Sequence, residues 1–416
     1  MDPKITVCMV GSFPQPTGGM STLCFYEAQH LAHLGVKVHF VDTGTGSEKR
    51  VPPLVDHYTR GNSYINTVLA FLKYPRKLFW IAIQIHLLRK NLLSYQDYLW
   101  TLGVASKTLI VAGSNKCSLI HSYHAIGRSL AAVLVAESLR IPSVVTVLSS
   151  EFTHPGICPI RKTMTDYIIS HADCLIAISK FTQSVCERSS GKRATVIYPG
   201  VDTKVFYPCD SATAKKVADR YSLENYRVLL YVGRLVPEKG VKVLLEAFSL
   251  LQNQQNHQDV VCVIIGPDWG AKKDVLDYID INHLKDKVFV WNEISLSDLR
   301  SLYSMADVFI LPTVMEVEGF GLAAAEAMAC GTPVVASRIA AVPEVVQDRV
   351  TGLLFEPRNA VDLASKLDIL LGNEEYRRKL ARQAHQWVRD KFSWEPSAQQ
   401  ILDLYQKCLK DLDKNT

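Results

Sequence analysis

The sequence lacks the patterns that indicate several common kinds of site. Its ten cysteines form no C-x-x-C pair and no zinc-ligand spacing, so we expect reduced, buried thiols in a cytosolic protein. No apolar run reaches the ~18 residues of a transmembrane helix. No dense Lys/Arg stripe with interleaved aromatic residues occurs either, so nucleic acid is not an expected partner.

Two nucleotide-binding signatures are also missing. Gly44-Thr45-Gly46 follows a predicted strand, but Lys49 stands where G-x-G-x-x-G has its third glycine. A nicotinamide oxidoreductase is therefore disfavoured. Gly191-Lys192-Arg193 has neither the upstream glycine spacing nor the Ser/Thr of a P-loop, which excludes that phosphate site.

The composition that remains is that of an ordinary globular protein, with 416 residues, 48% hydrophobic and 21% charged. Single cores stop growing near about 250–300 residues, so we expect two domains, at 1–200 and 201–390. A C-terminal helix at 391–416 is expected to pack back toward the first domain. Residues 1–200 hold 20 Lys/Arg and 11 Asp/Glu, against 26 and 30 in the rest, which favours an anionic partner or surface for the front half.

Short β-branched runs alternate with helical periods along the chain, and this alternation predicts an α/β fold with parallel sheets covered on both faces. Strands are predicted at 5–10, 36–41, 119–122, 143–147, 175–178, 195–198, 228–232, 260–265, 288–291, 308–311, 334–336 and 352–355. The pause at Tyr198-Pro199-Gly200-Val201-Asp202 marks the junction between two doubly wound, Rossmann-like domains that face a cleft. Such sheets bind ligands at the carboxyl ends of their strands.

The segment 66–93 differs from the rest of the front half. Its apolar part, 78–88, is too short to span a membrane and is flanked by basic residues, namely Lys73, Arg76, Lys77, Arg89 and Lys90. Two interpretations stay open. The segment is either a core helix with solvated basic ends or a helix that lies on an anionic membrane surface.

Two loops have the residues of a phosphate site. Pro14-Gln15-Pro16-Thr17-Gly18-Gly19-Met20-Ser21 lies between the first strand and a predicted helix, where glycines and free N–H groups suit a phosphate. A plain strand-to-helix turn is the alternative. Gly233-Arg234-Leu235-Val236-Pro237-Glu238-Lys239-Gly240 ends the first strand of the back half. Its Arg and Lys can converge on a diphosphate, and the alternative is a pair of solvated loop charges.

A third motif carries more information. It runs from Glu316 to Pro333 and reads E-V-E-G-F-G-L-A-A-A-E-A-M-A-C-G-T-P. Glu318 lies in the loop, whereas Glu326 lies about one turn inside the following helix, so the two carboxylates cannot share a proton. This arrangement fits an extended ligand with hydroxyls at both ends and phosphates at the helix N-terminus. Simple partners of the helix dipole are the alternative for each glutamate.

The pair Glu318 and Glu326, with seven residues between them inside E-G-F-G-x-x-x-x-E-A-M-A-x-G-x-P-V-V, resembles the retaining family 4 glycosyltransferases of GT-B fold. G-R-L-V-P-E-K-G, Y-P-G-V-D, the early G-G-M and the late F-S-W are similar to that family in the same order. The resemblance implies a hexosyltransferase of carbohydrate biosynthesis that uses a UDP- or GDP-sugar and retains the anomeric configuration. It implies no bound metal and no cofactor, and the donor loops have no D-x-D pair.

Carried over to this chain, the resemblance assigns the donor diphosphate to Arg234 and Lys239 and the ribose hydroxyls to Glu326. Glu318 and the backbone of 319–322 would hold the sugar and the distal phosphate, and Gly19 would approach the diphosphate from the front domain. The donor-binding residues are thus Gly18, Gly19, Gly233, Arg234, Lys239, Glu318, Gly319, Phe320, Gly321, Leu322 and Glu326. The candidates for catalysis are His124, His121, Glu318, Arg234 and Lys239.

The family also has a front-domain histidine near the reacting sugar, for which His124 is favoured over His121 because it follows the strand. Either imidazole is alternatively a core histidine, and Tyr123 can be aligned with the usual histidine. Two segments also depart from the family pattern. Relatives often carry another histidine within the segment that is Thr146-Val147-Leu148-Ser149-Ser150-Glu151 here, and a more glycine-rich turn is common at 265–268.

Competing functions are a nucleotide-sugar-binding protein without transfer activity and a GT-B epimerase or phosphorylase. The acceptor stays open among a glycan, a lipid-linked acceptor and a small molecule. The expected location is the cytoplasm, with peripheral membrane contact through 66–93 as an additional hypothesis.

Overall fold

The computed structural model describes residues 5–13, 19–44, 51–59, 61, 63–92, 94–153 and 159–415. The chain divides into two compact units. The first comprises Met1–Tyr198 with Trp394–Thr416, and the second comprises Pro199–Ser393. Each unit contains one sheet with helices packed against it, as the predicted α/β class requires.

The strands of the described residues form two sheets in which every paired strand is parallel. Their bounds are β1 Thr6–Gly11, β2 Lys37–Asp42, β3 Val55–Thr59, β4 Leu119–Tyr123, β5 Ser143–Val147, β6 Cys174–Ala177, β7 Thr195–Val196, β8 Arg227–Val232, β9 Val260–Ile265, β10 Val288–Trp291, β11 Val308–Leu311, β12 Val334–Ser337 and β13 Leu353–Phe355. The strand orders are β3-β2-β1-β4-β5-β6-β7 in the first unit and β10-β9-β8-β11-β12-β13 in the second. Both sheets are doubly wound.

The helices connect successive strands, and the last three follow the final strand. They are α1 Gly19–His33, α2 Ser63–Lys73, α3 Pro75–Leu92, α4 Tyr95–Ser114, α5 Gly127–Leu139, α6 Ser150–Thr153, α7 Pro159–His171, α8 Lys180–Ser190, α9 Ser211–Tyr221, α10 Val241–Gln252, α11 Lys272–Ile281, α12 Leu296–Met305, α13 Leu322–Ala329, α14 Val342–Val345, α15 Ala360–Gly372, α16 Glu374–Lys391 and α17 Trp394–Asn415.

All twelve predicted strands are present, with ends within two residues of the prediction. The sequence did not predict β3, the edge strand of the first sheet. It carries Asp56 and His57, and its residues are only partly buried or exposed. Edge strands tolerate such polar residues because one side of their backbone has no neighbouring strand, so their hydrophobic pattern is weak.

Apolar strands and helices form a separate core in each unit. Ile120, Val145 and Leu134 are fully buried in the first unit, and Leu229, Ile264 and Phe248 are fully buried in the second. Strands buried on both faces are expected to be continuously apolar, as β9 is at all six of its positions.

The C-terminal helix α17 belongs to the first unit. Trp394 stacks on Tyr26 of α1 with a ring-centroid distance of 5.6 Å. Cys408 of α17 forms a disulfide with Cys174 at the start of β6. The expectation of ten reduced thiols is therefore wrong for these two cysteines, because the fold brings residues 234 positions apart into contact. Cys158 lies outside the described residues.

Helix α15 begins with a side-chain cap. The Asn359 side chain accepts a hydrogen bond from the backbone N–H of Asp362 at 2.9 Å, which is the geometry of an N-cap. Among the helices of the described residues, none combines the length and apolar character needed to cross a bilayer.

Candidate functional site

The sheet of the second unit has its topological switch point between β8 and β11. From β8 the chain continues to β9 and β10 on one side, whereas β11 leads to β12 and β13 on the other. The loops that leave β8 and β11 therefore diverge and open a crevice at the carboxyl edge of the sheet. Open parallel sheets bind their ligands at such a point.

An ion pair joins these two loops. Lys239 Nζ lies 2.6 Å from Glu318 Oε2, and both side chains are largely buried, with 16% and 12% of their surface exposed. Lys239 ends the 3₁₀ turn Pro237–Lys239, and Gly240 follows with a φ of 70°. A Cβ at Gly240 would overlap the carbonyl oxygen of Pro312, so glycine is what allows the loops to come this close.

Glu318 is held in its ionised form. Burial acts to raise the pKa of Glu318, but the Lys239 ammonium, the Thr313 hydroxyl and the Arg234 guanidinium outweigh it and lower the pKa below its usual value. Thr313 Oγ1 donates to Glu318 Oε2 at 3.2 Å. Both contacts use Oε2, so among the described residues Oε1 keeps its capacity to accept hydrogen bonds from a ligand.

Arg234 is exposed at the same edge and is oriented by an aromatic ring. Its guanidinium lies 4.9 Å from the ring centroid of Trp269, a cation–π distance. Trp269 follows β9, and its backbone N–H donates to the carbonyl of Leu235 at 3.0 Å. The Tyr231 hydroxyl donates to the Arg234 carbonyl at 2.9 Å. Arg234 is thereby positioned from its backbone and from its guanidinium.

Trp269 was not predicted as a site residue. The sequence signal was present, because the turn at 265–268 departs from a glycine-rich pattern and a large exposed aromatic residue follows it. Gly233 lies in the loop that follows β8, and its backbone N–H donates a hydrogen bond to the carbonyl of Ile265 at 2.9 Å. The pairing of β8 with β9 thus extends into the predicted phosphate loop.

Glu326 lies in the second turn of α13, and the Tyr303 hydroxyl donates to its Oε2 at 3.1 Å. Part of the side chain is accessible, but its carboxyl is surrounded by protein. This burial raises the pKa of Glu326 to about 7, and the Tyr303 hydrogen bond opposes the shift only partly. Near neutrality this carboxyl is divided between its two protonation states, and the ionised form is the stronger acceptor of hydrogen bonds from hydroxyl groups.

The residues between the two glutamates contribute through their backbone. Gly319 is buried, and the Phe320 ring points into the core, where it packs on Phe392 at a centroid distance of 5.1 Å. Gly321 is the N-cap residue of α13, which begins at Leu322. The first N–H groups of a helix have no partner within the helix, and here they lie between Glu318 and Glu326 in the sequence.

The first unit repeats this topology with a switch point between β1 and β4. Gly19 is the first residue of α1, which follows β1, and Gly18 lies outside the described residues. His124 directly follows β4. The predicted phosphate loop and the predicted histidine loop therefore leave neighbouring strands of one sheet.

The structure assigns His121 to the core rather than to a ligand site. It is fully buried, its Nδ1 lies 2.6 Å from Tyr405 Oη, and its Nε2 lies 2.8 Å from Thr146 Oγ1. Burial lowers the pKa of His121 to about 3, so the ring is neutral. Tyr123 is also fully buried, and its hydroxyl donates to Glu27 Oε2 at 2.5 Å. Neither side chain is positioned to face a sugar.

His124 differs from both, since 23% of its side chain is exposed. Its backbone is in the left-handed region with φ of 67°, which turns the side chain away from the strand. His124 Nε2 lies 3.6 Å from Glu151 Oε2 and 3.3 Å from Ser150 Oγ. Glu151 Oε1 accepts from the Leu148 N–H at 2.9 Å, so the carboxylate is fixed beside the imidazole.

In the sequence, Glu151 stood out only as part of a segment that departs from the family pattern. Its partner His124 is 27 residues away in the chain, and the contact arises because β4 and β5 are neighbours in the sheet.

No cluster of three or more His, Cys, Asp or Glu side chains suited to a metal ion occurs among the described residues.

Two family models match the chain. Glycosyltransferase Family 4 matches residues 17–205 and Glycosyl transferases group 1 matches residues 214–387. The first match covers most of the first unit and the first few residues of the second, and the other match covers most of the second unit.

Characterised relatives align along nearly the whole chain. D-inositol 3-phosphate glycosyltransferase of Xylanimonas cellulosilytica is 28% identical over 432 aligned residues, which cover 98% of this chain and 97% of that protein. N-acetyl-alpha-D-glucosaminyl L-malate synthase of Bacillus anthracis is 25% identical over 405 residues and 96% of each chain.

A solved structure shares the fold. The Anabaena protein HepE in complex with UDP and glucose superposes with a TM-score of 0.77 and 18% identity, covering 97% of this chain and all of that one. The sequence match to both family models and the architecture agree, so this chain belongs to the family 4 glycosyltransferases and is a glycosyltransferase of GT-B fold.

Proposed function

We propose that the protein transfers a sugar from a UDP- or GDP-sugar to an acceptor hydroxyl, with retention of the anomeric configuration and without a bound metal. The observation that carries this proposal is the convergence of Lys239 and Glu318 at the switch point of the second unit. Arg234 and Glu326 lie on loops and helices that leave the same sheet edge. The structure of HepE contains UDP and glucose, which favours a nucleotide-sugar of this kind.

The proposed donor pose follows the charges. Arg234 and Lys239 contact the diphosphate, because a guanidinium and an ammonium are the two cations at this edge that suit phosphate oxygens. The N-terminus of α13 adds N–H groups and a partial positive charge. Glu326 accepts hydrogen bonds from the ribose hydroxyls, and Glu318 accepts hydrogen bonds from hydroxyls of the sugar.

Catalysis then depends on the charge that develops on the leaving diphosphate. As the bond between the anomeric carbon and the phosphate oxygen breaks, negative charge accumulates on that oxygen. Arg234 and Lys239 stabilise this charge more strongly in the transition state than in the bound donor, so they raise the rate. A metal ion would stabilise the same charge, which is why metal independence is part of the proposal.

The acceptor is proposed to attack from the face that the diphosphate leaves. The acceptor oxygen bonds to the anomeric carbon, and its proton passes to the departing phosphate oxygen, so charge and protons balance. The proposal assigns to His124 of the first unit a hydrogen bond to a sugar hydroxyl, with Glu151 fixing the orientation of its ring. A covalent alternative would need a carboxylate nucleophile beneath the sugar, whereas Glu318 is paired with Lys239 and Glu326 is assigned to the ribose.

The proposal is tested with methanol as a surrogate acceptor. UDP-glucose and GDP-mannose are incubated separately with enzyme and methanol in EDTA, and the methyl glycoside is analysed by proton NMR. We expect one donor to give the α-methyl glycoside with release of its nucleoside diphosphate. A β-glycoside, a requirement for added metal, or turnover of neither donor above an enzyme-free blank would contradict it.

A further inference from the structure

The polarity of α2 is inverted relative to a helix of a water-soluble protein. Its inner face consists of Ser63, Asn66, Thr67 and Ala70, which pack on α4. Thr67 Oγ1 lies 3.3 Å from Ser106 Oγ. A Cβ at Gly103 of α4 would overlap the Ser63 side chain, so the two helices meet through small and polar residues.

The outer face of α2 is apolar and faces solvent. Its exposed residues follow the helical repeat, and the two most exposed are Tyr64 at 78% and Leu72 at 73%. The full set is Tyr64, Ile65, Val68, Leu69, Phe71 and Leu72. Contiguous apolar patches of this kind are costly in water and mark interaction sites.

Helix α3 continues the exposed apolar surface. Phe79, Ile83 and Leu87 recur every four residues along it, with Phe79 64% exposed. The opposite side of α3, with Leu78 and Ile81, is buried in the core of the first unit. Helices α2 and α3 contact each other, and both pack on α4. We call the exposed apolar residues of α2 and α3 the outer face.

The charged residues of α2 and α3 have one sign. Residues 63–92 contain five Lys/Arg and no Asp/Glu. Lys73 and Arg76 are exposed at the turn between the helices, and Lys73 Nζ donates to Ser114 Oγ at 2.7 Å. Basic residues beside exposed apolar side chains are the combination that binds anionic lipid, since apolar burial and electrostatic attraction add.

We propose that the outer face lies on an anionic lipid surface and holds the first unit there. Helix α2 has only 11 residues, and the 18 residues of α3 include four Lys/Arg. Neither is therefore a spanning element, and both would lie in the plane of the interface. A second copy of the chain is the competing occupant. A symmetric contact through this face would bring Lys73 and Arg76 toward like charges, which disfavours it.

Vesicle co-sedimentation of the full chain tests the proposal. One set of vesicles is phosphatidylcholine, and the other contains equal amounts of phosphatidylcholine and phosphatidylglycerol. We expect the wild type to sediment mainly with the second set and less so at high salt, because screening weakens the electrostatic part. A wild type that stays in the supernatant with both sets would overturn the proposal.

Matched variants separate the outer face from general stickiness. Leu69→Glu with Leu72→Glu should abolish sedimentation, whereas Ile281→Glu with Val361→Glu should leave it unchanged. Both control residues belong to the second unit, and as a pair they are at least as exposed as the leucines. Lys73→Gln with Arg76→Gln should weaken binding to the anionic vesicles, and Lys407→Gln with Lys410→Gln, exposed on α17, should not. Equal sedimentation of the Leu69/Leu72 variant and the wild type would contradict the assignment.

A readout without substitutions covers the case in which a variant does not fold. Hydrogen exchange of the wild type should slow on anionic vesicles within 64–72 and 79–87 and remain unchanged in the second unit. Protection confined to other segments would overturn the proposal. A dimer in gel filtration that Leu69→Glu with Leu72→Glu dissociates, with no vesicle binding, would assign the face to a second copy instead.

Discussion

Lys239 Nζ lies 2.6 Å from Glu318 Oε2 across the switch point of the second sheet. The two residues come from loops 79 positions apart in the chain, and together they place a cation and a carboxylate at the edge where parallel sheets bind ligands. The pair pre-positions Lys239 before any donor is present. A side chain that is already fixed loses little conformational entropy when it contacts a ligand, which favours the proposed contact of Lys239 with the donor diphosphate.

Lys239→Ala should lower turnover at least tenfold, because removing one group that stabilises developing charge typically costs about 10²–10³ in rate. The measurement is the rate of nucleoside diphosphate release at saturating donor, with circular dichroism to verify the fold. Lys242→Ala is the matched control, since Lys242 is exposed three residues further along, on α10. Near-wild-type turnover of Lys239→Ala would remove this residue from the mechanism.

Nucleotide affinity should weaken as the pH falls through the pKa of Glu326, which burial raises to about 7. The ionised carboxylate accepts hydrogen bonds from the proposed ribose hydroxyls more strongly than the neutral acid, so affinity should fall with pH, by at most about tenfold per pH unit below that pKa. Calorimetric titration of wild type and Glu326→Gln between pH 8 and pH 6 isolates this residue from the phosphate's own titration. Identical pH profiles of the two proteins would contradict the role.

The raised pKa of Glu326 also affects the stability of the fold, and this effect depends on pH in the opposite direction to the nucleotide affinity. The folded protein binds a proton at Glu326 more tightly than the unfolded chain, whose glutamate pKa is the ordinary 4.5. The contribution of Glu326 to the free energy of unfolding is therefore fully present below pH 4.5 and is lost as the pH rises to about 7. Glu326→Gln should remove this part of the pH dependence of the free energy of unfolding, measured by urea denaturation.

The two histidines should respond differently to substitution. His124→Ala should lower turnover with little change in thermal stability, because the side chain is partly exposed beside Glu151. His121→Ala should lower the unfolding midpoint, since it leaves Tyr405 and Thr146 without their buried partner, at a cost of about 1–3 kcal/mol for each unsatisfied group. Retained activity in His124→Ala would contradict the assignment.

Glu151→Gln tests the orientation of His124 rather than the chemistry itself. The amide preserves the shape but removes the charge that faces the imidazole at 3.6 Å. We expect turnover to fall with little change in the unfolding midpoint, because the imidazole loses the carboxylate that fixes its orientation. Unchanged turnover with a lowered unfolding midpoint would indicate a purely structural role.

Cys408→Ser should destabilise the first unit by releasing α17 from β6. Disulfides typically contribute about 2–4 kcal/mol, and this one closes a loop of 234 residues. A peptide map without reductant should contain the fragment pair that joins residues 174 and 408. Recovery of both cysteines as alkylated free thiols from the native protein would contradict the bond.

The sequence predicted the strands of both sheets well, for a physical reason. Strands such as β9 are buried on both faces and are therefore continuously apolar, a signal that survives without knowledge of the fold. Arg234, Lys239, Glu318 and Glu326 belong to local motifs at strand ends, so their positions follow once the strands are placed.

The features that the sequence did not reveal depend on contacts between distant segments. The partners of His121 come from β5 and α17, and only these contacts separate a core imidazole from an accessible one. Trp269 acquires its role through Arg234 on another loop. In α2 the apolar stripe would ordinarily be assigned to the interior, and the packing on α4 shows the reverse.

Nucleotide-sugar binding at the switch point of the second unit is tested most directly by thermal unfolding with UDP, GDP, ADP and their sugars in EDTA. One base should raise the unfolding midpoint by several degrees, since ligand at about 100 times its Kd adds ~2.7 kcal/mol. The shift should be much smaller in Lys239→Ala and unchanged in Lys242→Ala. No shift with any nucleotide, or an equal shift in Lys239→Ala, would contradict the proposed donor site.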